Sequence, residues 1–367
     1  MQGSEVKPKS ASPLDWLTGT VGQIIISLFV PIFTFVVLWQ GFIFLRDSDA
    51  PKIVIVLVAI VWGVGGVALL YFVSNWLIEK LSPFWVRTLQ PFVFVGPAVA
   101  ILAWYLLFPS ARTFWISLFN SSSTEFVGLQ NYVAVFTDRT MFTAFRNNIL
   151  WILFGATFSV IFGLLVAVLA DRSKFENAAK SLVFMPMAIS MVGAGVIWNF
   201  IYEADPNIGL LNAIWTSLGG EPQAWTSLLQ PWNNFFLIVI VIWLQTGFAM
   251  VLFSAAIKGI PGEILEAARV DGATELQVFF GIMIPYIMPT IITVSTTVVI
   301  FTLKIFDIVW VMTGGQFGTQ VIATQFYREY FTNRNFGYGS AIAIVLLLAV
   351  VPVMIYNLKQ FGEREAF

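Results

Sequence analysis

Apolar and polar positions in this chain are sorted into long blocks. Eight apolar runs lie near Ile24–Leu45, Ile53–Ile78, Phe92–Phe108, Ile149–Ala170, Leu182–Tyr202, Phe235–Ile257, Ile282–Leu303 and Ala341–Tyr356. A helix needs about 20 residues to cross a bilayer, and no Lys or Arg falls inside any of the runs. The pattern predicts an all-α polytopic membrane protein with eight transmembrane helices. Pro83 breaks the chain after the second run, which divides it into residues 1–82, an N-terminal extension with two spans, and residues 83–367, a six-span core. The first run is too long for a signal-peptide core and no small-residue cleavage pattern follows it, so it is expected to be retained as a span. Gly63, Gly65 and Gly66 in the second run would permit close helix packing, or are simply tolerated in lipid.

Composition sharpens this picture. Hydrophobic residues make up 58% of the chain and charged ones 11%, a ratio that no soluble domain carries. The 36 Phe and 14 Trp suit lipid-facing spans with aromatic belts at the interfaces. With neither Cys nor His, disulfides, thiolate metal sites and imidazole catalysis are excluded. The net charge of −1 gives no reason to expect nucleic acid. Basic residues set the expected sidedness. With the N-terminus inside, Lys7, Lys9, Lys80, Arg87, Arg172, Lys174, Lys180, Lys258, Arg269, Lys359 and Arg364 are internal. Arg46, Lys52, Arg112, Arg139, Arg146, Lys304, Arg328 and Arg334 are external, spread mostly over long loops. Both termini are then cytoplasmic, as is the loop 258–285.

That loop is the most informative polar passage. From Pro261, which suits a first helical turn, Glu263 to Asp271 favour helix. Gly272 suits the left-handed residue that ends one, and Thr274 with Gln277 forms a capping-box pattern that starts another. Ala267 and Ala268 leave one side of the short helix thin, while Glu263, Glu266 and Arg269 share another. Such a helix suits either docking into a partner's groove or an ordinary interfacial loop.

Chemistry within the chain itself is sparse. No G-x-x-x-x-G-K-[ST] loop is present to cradle a nucleotide, and Gly63-Val64-Gly65-Gly66 lies inside an apolar run. Carboxylates sit almost entirely in loops, so no catalytic residues, metal ligands or cofactors are expected. Energy must come from another chain or from an ion gradient. Ion-coupled carriers place ionisable relays inside spans; only Lys304 and Asp307 come near, and their spacing reads as an interfacial ion pair.

The residues Glu266-Ala267-Ala268, three more, Gly272, nine more, then Ile282-x-Ile284-Pro285 resemble the EAA loop of bacterial ABC importer permeases, with Ile284 in place of Leu. Weaker likenesses cover roughly Pro91 to Lys359: Phe126–Tyr132, Phe145-Arg146-Asn147-Asn148, Thr313-Gly314-Gly315 and Phe336–Ala341 resemble the maltose-type sugar-permease branch. The two-span extension resembles its α-glucoside and compatible-solute importers. The resemblance implies a type I importer permease in the bacterial inner membrane. It also implies a second homologous permease, two ATP-binding subunits and an extracytoplasmic solute-binding protein as partners. Glu263, Glu266, Ala267, Ala268, Arg269, Asp271 and Gly272 would then form the surface that couples to the ATPase. Aligned from that loop, Leu244, Gln245, Phe248, Phe301, Thr302 and Ile305 match the stretches that line the sugar site. Gln245 there stands for a glycine, and Thr302 and Ile305 for asparagines, which puts maltose itself in doubt. Gln245 and Thr302 would alternatively hydrogen-bond between helices. A permease of this architecture for a non-sugar solute, or an ion-driven carrier, are the competing functional readings.

Overall fold

The computed structural model describes the backbone of residues 20–171 and 173–364, with side chains over 29–171 and 173–359. Lys7, Lys9, Arg172 and the Arg364 side chain, used in the sidedness argument, lie outside the described residues. Hydrocarbon offers no partner to a backbone amide, so the apolar runs must satisfy themselves as helices. Seven helices are long and apolar enough to cross a membrane, or eight if one bent pair counts as a span. They are α1 (Thr20–Asp47), α2 (Lys52–Glu79), α3 (Pro83–Ile116), α4 (Arg139–Asp171), the bent pair α5 (Glu176–Ala188) and α6 (Met191–Ile201), and α7 (Trp232–Lys258). After a short helix α8 (Gly262–Val270) come α9 (Glu275–Leu303), α10 (Asp307–Thr313) and α11 (Phe336–Arg364).

The chain packs as two compact units, residues 1–109 and 110–367. In the first unit α1 and α2 approach closely at Gly41 and Trp62. Trp62 Nε1 donates to the Leu38 carbonyl at 2.9 Å, and a Cβ on Gly41 would fall 2.2 Å from the Trp62 ring. Gly66 meets Leu38, whereas Gly63 and Gly65 have open space where a Cβ would stand. Tyr71 donates to the Phe94 carbonyl at 3.0 Å and Gln90 to Asn75 at 3.0 Å, which joins α2 to α3.

In the second unit α7 is the central member, with half of its most apolar window buried. A Cβ on Gly163 of α4 would lie 2.4 Å from Ala249 Cβ, and one on Gly247 of α7 would lie 2.5 Å from the Val183 carbonyl oxygen of α5. Two buried clusters hang on this axis. One gathers Trp151, Leu237, Val241, Leu244, Ile305 and Ile308, the other Ala249, Met250, Phe253, Ile257, Val294 and Val298.

The fifth predicted span, Leu182–Tyr202, is not one helix. Its two limbs meet at 104°. Pro186 sits in a tight turn at the end of α5, Ile189 is extended, and the Ser190 hydroxyl accepts from Gly193 N at 3.0 Å to cap α6. Pro removes a helix donor and Ser supplies a cap, so the local chemistry outweighs the apolar run. The ion pair expected of Lys304 and Asp307 is also not formed, because α9 ends at Leu303 and the two are no longer one turn apart on a single helix.

The Gly163 contact is directly testable. Replacing Gly163 with Val should overpack the α4–α7 crossing at a cost of about 1–3 kcal/mol. Gly96→Ala in α3, where a Cβ meets nothing within 4 Å, should leave stability unchanged or raised. Thermal melts of the detergent-solubilised protein would show the first variant melting several degrees lower and the second not.

Candidate functional site

A cavity of about 280 Å³ opens where α7, α9 and the α5–α6 break converge, lined by Met187, Ile189, Met191, Leu244, Gln245, Phe248, Thr297, Val298 and Phe301. Each wall follows from helical geometry. Thr297, Val298 and Phe301 stand at i, i+1 and i+4 on α9, and Leu244, Gln245 and Phe248 repeat that spacing on α7. The third wall exists only because α5 stops at Ala188 and α6 restarts at Met191. Irregular backbone at membrane depth is tolerated where it borders a cavity.

Four of the six sequence-predicted residues, Leu244, Gln245, Phe248 and Phe301, are thus brought together. Thr302 and Ile305 are not among the lining. Thr302 is fully buried and its Oγ1 donates to the Val298 carbonyl at 2.7 Å; Ile305 is 3% exposed and packs in the cluster with Trp151 and Leu237. Met187, Ile189, Met191, Thr297 and Val298 were not anticipated. For the first three, the signal was Pro186 followed by Ser190.

The lining carries no ionisable side chain. The Gln245 amide makes no hydrogen bond to any described residue, and it lines the cavity together with Phe248 and Phe301. Thr297 spends its proton on the Thr293 carbonyl at 2.8 Å, which leaves its oxygen free to accept. The site therefore offers amide donors, two kinds of acceptor and flat apolar faces, the equipment for a neutral polar solute. A larger cleft of about 500 Å³ lies between α1 and α2, lined by residues such as Val37, Leu57, Val61 and Leu69. With almost no polar atom in its walls it has no means of holding such a solute.

Backbone bends after α9 are held by buried amides. Asn147 Nδ2 donates to the carbonyls of Gly318 and Gln320 at 2.7 and 2.8 Å, and Asn233 Nδ2 to that of Phe317 at 2.7 Å. Asn148 donates to the Leu303 carbonyl at 3.1 Å and accepts from Ile322 N at 2.9 Å. These contacts fix the turn in which Gly314, Gly315 and Gly318 take positive φ.

At the far end of α7 the chain makes the helix–turn–helix expected for 258–285. Gly272 is left-handed, at φ +82°, with open space where a Cβ would be, and Thr274 and Gln277 form a complete capping box. Leu265 and Ala268 of α8 pack against a cluster that includes Ile257, Ile260 and Val278. Glu263, Glu266, Ala267 and Asp271 are exposed, as is Val270 at 87%. Arg269 turns away from the two glutamates and pairs with Glu275 across the turn at 2.9 Å.

Residues 159–360 match the family of binding-protein-dependent transport system inner membrane components. The chain belongs to that family. Among its relatives, the osmoprotective compounds uptake permease protein GgtC of Synechocystis sp. is 53% identical over 277 residues, 74% of this chain and 99% of that one. The alpha-glucoside transport system permease protein AglF of Rhizobium meliloti is 49% identical over 285 residues, 76% of this chain and 84% of that one. The fold matches a crystal structure of a bacterial alginate ABC transporter, with a TM-score of 0.65 at 20% identity over 74% of this chain and 93% of that chain. The protein is therefore a multi-span permease of the inner membrane. Its family's work is carriage rather than bond-breaking.

For a permease, the cavity predicts which side chains matter. Gln245→Ala and Phe301→Ala should each weaken the half-saturation of uptake by roughly ten- to hundredfold, the worth of a well-made contact in a dry site. Thr302→Val, which removes only a bond inside its own helix, should stay within about threefold on the same scale. Initial-rate uptake across solute concentrations separates the two classes. Equal behaviour of all three variants would mean that the cavity is not the solute site.

Proposed function

We propose that this chain is the membrane-spanning subunit of an ATP-driven importer for a neutral carbohydrate or glycoside: an α-glucoside, a disaccharide or a sugar-type compatible solute. The observation that carries this reading is the uncharged cavity, whose lining combines an unpartnered Gln245 amide and the Thr297 hydroxyl with Phe248 and Phe301. Sugars present hydroxyls to such groups and C–H faces to such rings. The permeases named for osmoprotective compounds and for alpha-glucosides, at 53% and 49% identity, support the same class. About 280 Å³ is just below the usual range of small-molecule sites, about 300–1,000 Å³, which favours a solute of one or two rings. An ion-coupled carrier would require an ionisable relay in that lining, and none is there.

In this reading α8 docks in a cleft of the ATPase subunit. Glu263, Glu266, Ala267 and Asp271 form the exposed contact surface, and Gly272 sets the turn. Arg269 braces the turn through Glu275, and Ala268 seats the helix on its own protein. The assembly holds a second homologous permease, two ATP-binding subunits and an extracytoplasmic solute-binding protein. Closure of the ATP-binding pair draws the coupling helices together and opens the cavity to the binding protein; hydrolysis restores the inward-facing state. Both chain ends lie in the cytoplasm with α8. Residues 1–82 are an addition to a six-span core, consistent with a relative that is 99% covered by only 74% of this chain.

Two experiments test this. Glu266→Lys reverses an exposed charge, and Gly272→Asp adds a side chain at a left-handed position, with strain of about 1–2 kcal/mol. Both should abolish solute-stimulated ATP hydrolysis and uptake while the chain still inserts. Wild-type stimulation in both would remove α8 from the coupling role. Separately, reporters after Phe367 and within the Glu221 loop should give cytoplasmic and external signals respectively. Signals from one side would overturn the sidedness.

A further inference from the structure

The feature left over from this account is a polar network where α4, α5 and α7 end together. Lys180 of α5 donates to Asp171, the last residue of α4, and to Ser254 of α7. Ser254 Oγ in turn donates to Asp171 at 2.8 Å. One turn earlier on α5, Glu176 accepts from Lys180 at 2.6 Å and from Lys258, the final residue of α7. Four of these five groups are shielded: the side chains of Asp171, Lys180 and Glu176 are 12%, 18% and 26% exposed, and Ser254 is buried. Only Lys258 stands half in solvent, at 56%. A half-buried, mutually bonded cluster holds geometry better than isolated surface pairs, which contribute little.

Its position gives it a consequence. Lys258 is followed by Gly259, Ile260 and Pro261 and then by α8. At the opposite end of the α5 limb, Met187 and Ile189 are cavity wall. Between the two ends, Gly247 lets the α5 backbone at Val183–Phe184 rest directly on α7. The limb is thus fastened to α7 at two points, and just beyond its far end lies the Ile189–Ser190 break, a natural hinge.

We infer that Asp171, Glu176, Lys180, Ser254 and Lys258 are positioning residues that make the α5 limb move as one body with α7 and α8, so that displacement of the coupling helix reaches the Met187–Ile189 wall of the cavity. The inference rests on the reading that α8 engages an ATPase, and it adds how that engagement reaches the solute. Without the network, the limb pivots at the break and the wall no longer follows α8.

The test uses the purified complex of permeases, ATP-binding subunits and solute-binding protein in vesicles, with maltose, trehalose, sucrose and methyl α-glucoside as probes. Glu176→Gln and Lys258→Gln should assemble normally and keep basal ATP hydrolysis. Their stimulation by the most effective probe should fall about five- to tenfold, the lower range of couplings between sites. Lys258→Arg, which keeps a cation beside Glu176, should retain stimulation, which separates loss of the ion pair from loss of the lysine as such. Lys258→Gln, on the most exposed partner, keeps the test alive should Glu176→Gln fail to fold. Full stimulation in both single variants, or as large a loss in Lys258→Arg as in Lys258→Gln, overturns the inference while leaving the importer reading intact. A wild-type complex that no probe stimulates removes the glycoside reading and this inference together.

Discussion

Everything in the C-terminal unit depends on how closely other backbones can approach α7. Lipid tails are as apolar as leucine, so helices in a bilayer gain little from hiding side chains and much from close dispersion contact. Gly163 against Ala249 and Gly247 beneath Val183–Phe184 supply that contact, since at either place a Cβ on the glycine would overlap its neighbour. Gly247 also lies in sequence between Gln245 and Phe248, two of the three α7 side chains that line the cavity. The same close approach that holds the unit together therefore sets how near the broken helix stands to the α7 groups that line the cavity.

A second constraint follows from the first. Once the fifth span breaks and the chain after α9 turns back in irregular loops, backbone groups that a straight helix would satisfy are left without partners. Each costs several kcal/mol in hydrocarbon. Ser190 answers one such loss by capping α6. Asn147, Asn148 and Asn233 answer others by donating to the carbonyls of 303, 317, 318 and 320. These asparagines are fully or nearly fully buried, and their fixed amides make the bends after α9 structure rather than slack. A cavity wall that contains the Ile189–Ser190 break can change shape at a hinge, whereas a wall of continuous helix can only tilt.

How much of this was readable in the chain depends on the range of the interaction concerned. The apolar runs were legible because hydrocarbon imposes them residue by residue, and the Thr274–Gln277 capping box because it closes within four residues. The break in the fifth run was legible in principle, since Pro186 and Ser190 both mark helix ends, but uniform apolarity reports only the solvent and not the direction of the chain. The cavity was half legible. Likeness to a family aligns positions along a helix but does not fix rotation about it. Adjacent residues such as Phe301 and Thr302 point about 100° apart, so the neighbour of a lining residue readily turns into the core. Ile305 would share a face with Phe301 if the helix continued, but α9 ends at Leu303 and that register is lost. The asparagine clasp was beyond reach, because its partners lie more than 150 residues away for Asn147 and Asn148.

The absence of charge in the cavity lining ties these points to energetics. A site built from one free amide, one free hydroxyl oxygen and two phenyl rings cannot take work from an ion gradient or from the membrane potential, since neither acts on a neutral group. It can select a solute by hydroxyl placement and ring size, and it can hold the solute only weakly enough to let go. Direction must then be imposed by moving walls, and the wall best placed to move is the one at the Ile189–Ser190 break. The exposed, polar α8 with its Gly272 turn is joined through Lys258 to the helix on which that wall rests. A chain with a neutral cavity midway along α7 and a displayed helix beyond its C-terminal end is built to receive work from outside itself.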